Sequence, residues 1–205
     1  QIAPLGADLL VCFAYGHIFG PKFLAMFPMG GINLHPSMLP KYRGCTPVNA
    51  AILNRDKETA FSIQTLALKM DEGDLLAQKI IQLNGSETGE SLLNNAATDG
   101  AVLICDVIEK INSLKIEKAE LKEQENGVKV PELDFGKKQS GEASYTGVIT
   151  KEDGKINWSE KAETIEAKVR AYFPEPGCWC VENNLPLRIL KAGFISLDDS
   201  RVQKY

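Results

Sequence analysis

The sequence predicts an α/β fold with a mostly parallel sheet covered on both faces. Three observations carry that prediction. Residues 8–14 form a continuous apolar run, the pattern of a strand buried on both sides, as parallel strands are. Residues 91–111 repeat Leu92, Ala96, Val102, Leu103, Val107 and Ile111 at helical spacing. Between them, strand-like and helix-like stretches alternate, as in βαβ units.

The elements follow in order. The first strand ends at Tyr15-Gly16. Residues 21–27 read as a short helical turn, with Pro21 at its start and Phe23, Leu24 and Phe27 on one side. Residues 31–35 read as a second short strand. Pro36, Pro40 and Gly44 punctuate residues 36–44 as a loop. Residues 47–54 are helical, with Val48, Ala51 and Ile52 on the apolar side. Residues 59–66 alternate Phe61, Ile63 and Thr65 against Ser62 and Gln64, a strand pattern, and residues 75–82 read as another strand. Residues 115–144 hold Lys, Glu, Gln, Gly and Ser with few apolar anchors and read as an exposed linker. Residues 161–172 carry Ile165, Val169 and Tyr172 on an amphipathic helix that Pro174-Glu175-Pro176-Gly177 ends. Residues 178–181 and 187–195 read as strands of a second, smaller unit.

Composition narrows the function classes. Apolar residues make up 44% and charged residues 24% of the chain, ordinary for a soluble globular protein. A net charge of −4 argues against a strongly basic nucleic-acid surface. The five cysteines are odd in number and show no Cys-x-x-Cys spacing, the usage of reduced thiols in a cytosol-like compartment. Cys12 and Cys105 fall in apolar runs, where a small hydrophobe is expected. A metal clip at Cys178-x-Cys180 is disfavoured, because the chain has two histidines and neither is near. No apolar run is long enough to span a membrane. The first residues lack the basic start and apolar stretch of a signal peptide. Gln1, which is not an initiator Met, is expected to be internal to a longer chain.

The informative stretch is Asn33-Leu34-His35-Pro36-Ser37-Met38-Leu39-Pro40-Lys41-Tyr42-Arg43-Gly44. Side chains at i and i+2 of a strand face the same way, so Asn33 and His35 point into one space. In open α/β sheets ligands bind outside the carboxyl ends of strands. A second piece, Lys69-Met70-Asp71-Glu72-Gly73-Asp74, lies in the turn between two strands, where Gly73 permits an unusual backbone angle. An amide can hold a developing oxyanion, an imidazole can move protons near pH 7, and a carboxylate can orient and charge-stabilise that imidazole. Those groups suffice for acyl transfer to an amine without a nucleophilic Ser or Cys. Taken singly, a histidine before proline is more often structural, and an Asp-x-Gly-Asp run is more often a solvated turn.

The order and spacing of residues 33–44 resemble the signature of the folate-dependent formyltransferases: Asn-x-His, one residue, Ser-Leu-Leu-Pro, then a basic-aromatic-Arg-Gly segment. Asp71 stands where that family has its aspartate, in an Asp-x-Gly-Asp turn that Asp74 closes. Phe13-Ala14-Tyr15-Gly16 looks like the family's Ala-Tyr-Gly strand end. Residues 146–158 are similar to the start of the C-terminal domain of methionyl-tRNA formyltransferases. Met38 replaces the family's usual leucine, a volume-conserving change, and Glu72 stands where Thr or Ala is common.

The resemblance implies a Rossmann-like formyltransferase domain over residues 1–114, a linker over 115–144 and the start of a small β-barrel-like C-terminal domain over 145–205. The family's opening strand, its next helix and strand and a basic tRNA-facing loop are expected upstream of Gln1. The end of the barrel is expected beyond Tyr205. The resemblance further implies 10-formyltetrahydrofolate as donor, no metal, and the α-amine of initiator methionyl-tRNA as acceptor, in a monomeric cytoplasmic enzyme without a membrane partner. Asn33 would bind the formyl oxygen, His35 would take the amine proton, and Asp71 would hold His35. Ser37, Met38, Leu39 and Pro40 match the folate-contacting segment, and Ala14, Tyr15 and Gly16 would wall the pterin pocket. An amino-sugar nucleotide as acceptor, or a folate-binding module without catalysis, are the alternatives. A glycinamide ribonucleotide enzyme fits less well, since those usually lack a tail like residues 145–205. Lys41, Arg43, Lys137 and Lys138 could meet phosphates, though each is more often an ordinary solvated charge. The nine Lys/Arg and nine Asp/Glu of residues 151–205 leave no electrostatic footprint for RNA.

Overall fold

The structure, a computed structural model, describes residues 5–124 and 127–195. Its centre is a four-stranded sheet built from β1 (Leu10–Phe13), β2 (Gly31–His35), β4 (Glu58–Thr65) and β5 (Leu75–Gln82), which lie side by side in that order. The sheet is mixed. β1 and β2 are parallel, as the continuous apolar run predicts, and β2–β4 and β4–β5 are antiparallel. The turn joining β4 to β5 is too short for the crossover that a parallel pair needs, so the two strands close as a hairpin. A short helix, α1 (Pro21–Leu24), links β1 to β2, and α2 (Pro47–Leu53) follows the two-residue strand β3 (Arg43–Gly44). Arg43 and Gly44 thus leave the expected loop to pair, in parallel, with β8 (Tyr145–Thr146).

The long helix α3 (Gly89–Ser113) starts at a capping box in which Thr88 and Ser91 exchange side-chain and backbone bonds. It covers one face of the sheet. Leu92, Ala96, Val107 and Ile111 are buried against Ile32, Leu34, Phe61 and Ile63. Val102, expected on that stripe, is 62% exposed, and Cys105 is exposed too, because both fall on the outer side of the helix. Fully burying one such aliphatic side chain contributes roughly 1.5–3 kcal/mol. The other face of β4 is also closed: Ser62 and Gln64, the polar half of its alternation, are buried and hydrogen-bonded rather than solvated.

Residues 115–144 are not an exposed linker. They contain an antiparallel hairpin, β6 (Glu120–Glu123) and β7 (Lys129–Glu132), and Ala119, Val130 and Leu133 are buried, while Leu121 stays exposed. Lys137 then bridges Leu75 at the end of β5 through a reciprocal backbone pair. Beyond β8, α4 (Ala162–Ala171) packs on α2, where the Asn49 amide donates to the Ala171 carbonyl at 2.6 Å. β9 (Cys178–Glu182) and β10 (Leu185–Ile189) form a hairpin around Asn183 and Asn184, whose φ values of 48° and 64° suit a two-residue primed turn. That turn starts the last strand at Leu185 instead of Leu187 and ends it at Ile189.

Candidate functional site

A cavity of about 590 Å³ opens at the carboxyl ends of β1 and β2, within the size range of small-molecule sites. Asn33, His35 and Asp71 all line it, and so do Ala14, Tyr15 and Gly16. The aromatic side of its wall is ordered by stacking: the Tyr15 and Phe19 rings lie 4.8 Å apart and nearly parallel, and Phe23 stacks on Phe19 in turn. The strand parity that pairs Asn33 with His35 is thus realised. The two side chains differ in how they are held. Among the described hydrogen bonds none engages the Asn33 side chain, which is half-buried, whereas His35 is 4% exposed and fixed through its ring.

The ring contacts set the chemistry. His35 Nε2 lies 2.9 Å from the Tyr42 carbonyl oxygen, and a carbonyl only accepts, so Nε2 carries the hydrogen and donates. In the neutral ring the lone pair is then on Nδ1, which sits 3.5 Å from Asp71 Oδ1. A lone pair facing a carboxylate at that distance gains nothing until Nδ1 is protonated, when the two become an ion pair. Burial holds the His35 imidazole below its ordinary value of 6.5, against the pull of the Asp71 charge and the Tyr42 carbonyl. The ring is therefore neutral near pH 7, with an available base nitrogen beside a carboxylate.

Asp71 is fixed independently. Its Oδ1 accepts from the Gln64 amide at 2.7 Å and its Oδ2 from the Gly44 N–H at 2.8 Å. The residue has a φ of 55°, and Tyr42 (59°) and Ala14 (53°) share that left-handed region. Such backbone costs roughly 1–2 kcal/mol per non-glycine residue and persists only where the surroundings over-determine it. Gly73, in contrast, needs no unusual angle. It is required because a Cβ there would stand 1.8 Å from the Thr65 carbonyl oxygen.

Tyr42 is over-determined in this way. Its N–H donates to Ser144 Oγ at 2.9 Å and its hydroxyl to Asp56 at 2.8 Å, while its carbonyl holds His35. Burial and the Asp56 carboxylate push the phenol up to about 12.

Ser37, Met38, Leu39 and Pro40 do not line the cavity. The chain turns inward after His35, and Ser37, Leu39 and Pro40 are buried. Ser37 Oγ donates to the Lys41 carbonyl, and the Ser37 carbonyl accepts from Ser62 Oγ. Ser37 thereby supports the His35 strand end from beneath. Gln64, Tyr42, Gln139 and Ser144 are the site residues that sequence reasoning missed. Among the described residues, no group of three or more His, Cys, Asp or Glu side chains is placed to hold a metal ion.

Known proteins match almost the whole length of the chain in sequence. Residues 1–108 match the family described as formyl transferase, and residues 148–202 match its C-terminal domain. The chain belongs to the formyl transferase family. A methionyl-tRNA formyltransferase of Treponema denticola is 45% identical over 95% of the chain and 55% of that protein. One from Orientia tsutsugamushi is 34% identical over 95% of the chain and 57% of that protein. The chain thus spans about half the length of the curated relatives it matches. Solved structures share the fold. The methionyl-tRNA formyltransferase from Clostridium thermocellum has a TM-score of 0.64 at 19% identity, over 92% of this chain and 73% of that one. A 4-N formyltransferase from Francisella tularensis has a TM-score of 0.69 at 18% identity, over 92% and 72%. No helix among the described residues is long and apolar enough to cross a membrane.

Proposed function

We propose that this chain carries the formyl-transfer site of an enzyme that moves a formyl group from 10-formyltetrahydrofolate to the α-amine of initiator methionyl-tRNA. The observation that carries the reading is the convergence of Asn33, His35 and Asp71 on one cavity, with Nδ1 and Oδ1 3.5 Å apart. The amine attacks the formyl carbon and the formyl oxygen becomes anionic. The unengaged Asn33 amide donates to it, a contact that strengthens as charge develops. His35 Nδ1 takes the proton from the attacking amine, and the imidazolium so formed is met by the Asp71 carboxylate. Collapse breaks the bond to the folate nitrogen, which leaves with that proton. The apolar and aromatic wall at Ala14, Tyr15 and Phe19 suits a flat heteroaromatic ring system.

The choice of acceptor rests on the Treponema and Orientia relatives, both named methionyl-tRNA formyltransferases. Offering the full-length gene product methionyl-tRNA and an amino-sugar nucleotide in parallel, with labelled 10-formyltetrahydrofolate, tests it. Label transferred to methionyl-tRNA alone is the expected result. Label on the sugar alone overturns the acceptor, and transfer to neither overturns the reaction.

A further inference from the structure

The segment after the β6–β7 hairpin lies across the back of the Asp71 turn, and one side chain there meets both halves of the site. Gln139 Nε2 stands 2.8 Å from the Asp71 carbonyl oxygen, 2.9 Å from the Gly73 carbonyl oxygen and 3.2 Å from Gln64 Oε1. Gln139 Oε1 accepts from Arg43 Nε at 3.1 Å and Nη2 at 2.8 Å. The orientation of this amide is dictated: a guanidinium only donates and backbone carbonyls only accept. The position therefore demands an acceptor and a donor on one planar group at this reach. Glutamate lacks the donor, lysine lacks the acceptor and asparagine is one methylene too short.

We propose that Gln139 is a positioning residue for the candidate carboxylate Asp71, locking the strained turn that carries it to the β3 strand end through Arg43. The proposal rests on the formyl-transfer reading and says which residue sets the Asp71–His35 geometry. Two further contacts run the same way. Gln64, which Gln139 touches, donates to Asp71 Oδ1, and Gly44, next to Arg43, donates to Asp71 Oδ2. Ser144, five residues on, accepts from the N–H of Tyr42, whose carbonyl orients His35. Gln139 and Ser144 thus brace both partners of the pair, and neither lines the cavity.

The test uses Q139A and Q139E in the full-length protein, with kcat, KM, melting temperature and the ¹⁵N signals of the His35 ring as readouts. Both variants are expected to lower kcat about tenfold, the effect of one lost supporting bond, with KM for the formyl donor held within about twofold. The ring signals move in both. Q139E is the decisive variant, because it keeps and strengthens the contact to Arg43 while losing the donor to the Asp71 turn. Wild-type kcat in Q139E would show a mere tether to Arg43 and overturn the proposal. Unchanged ring signals in both variants overturn it whatever the activity. Undiminished transfer by H35A would instead overturn the role of His35 as base in the formyl-transfer reading, leaving the ring signals to judge Gln139 separately.

Discussion

Two carboxylates flank the turn between β4 and β5, and they are held in opposite ways. Glu132 is 5% exposed and closed off: it accepts from Gln124 at 2.7 Å and Thr65 at 3.2 Å and has Lys122 Nζ at 3.9 Å. Lys122 also reaches Asp74 at 2.7 Å, so the cluster staples the β6–β7 hairpin to the sheet. Asp71 also accepts two hydrogen bonds, but its third neighbour is a neutral histidine whose lone pair faces it beside an open cavity. Gln64 and Thr65, consecutive on β4, supply the donors to the two clusters from opposite faces of one strand. A closed carboxylate with its donors matched ties the hairpin to the sheet. One left beside an unprotonated partner at a cavity edge is poised to receive charge.

Substitutions separate the two clusters. The largest effect is expected for H35A, a loss of about 10³-fold in formyl transfer from the missing base. N33A follows, with a loss of roughly 10²–10³-fold in kcat from the missing oxyanion donor; single-turnover rates check both. D71N gives a loss of about 10²-fold and a pH signature. Burial already puts the wild-type acid limb below 6.5, and removing the charge that raises His35 moves that limb lower still in a kcat/KM profile. The same depressed value stabilises the wild-type fold above 6.5, a contribution lost as pH falls through the folded value.

E132Q gives the smallest kinetic effect, under about twofold, but costs about 1–3 kcal/mol of stability because its amide faces other donors. Burial raises Glu132 above 4.5 in the fold. Its contribution is thus present below 4.5 and fades as pH rises through the raised value; E132Q should erase that step in urea unfolding curves. A kinetic loss in E132Q equal to that in D71N would break the distinction between the clusters.

The geometry of the candidate site was readable where it follows strand parity. Asn33 and His35 announce themselves as a polar pair at a strand end, and Asp71 as a carboxylate in a turn. The parallel pairing of β1 with β2 follows likewise from the apolar run of residues 8–14. What periodicity could not reveal are polar residues that face other polar residues. Gln64 reads as the solvent side of β4 but is buried on Asp71. Gln139 and Ser144 lie in a stretch whose composition reads as linker, and they act through an amide and a hydroxyl. The group that orients His35 is a backbone carbonyl, which every residue possesses and no side-chain pattern advertises. Ser37 to Pro40 lie outside the cavity lining, because a loop after a strand can turn into the protein as readily as along a cavity.

The central physical claim is that the Tyr42 carbonyl, not Asp71, fixes the His35 tautomer and leaves Nδ1 as the base. Ring ¹⁵N chemical shifts of His35 at pH 7.5 in the full-length protein measure this directly. The account predicts a protonated Nε2 and an unprotonated Nδ1. A hydrogen on Nδ1 in the neutral ring, donated to Asp71, would contradict it.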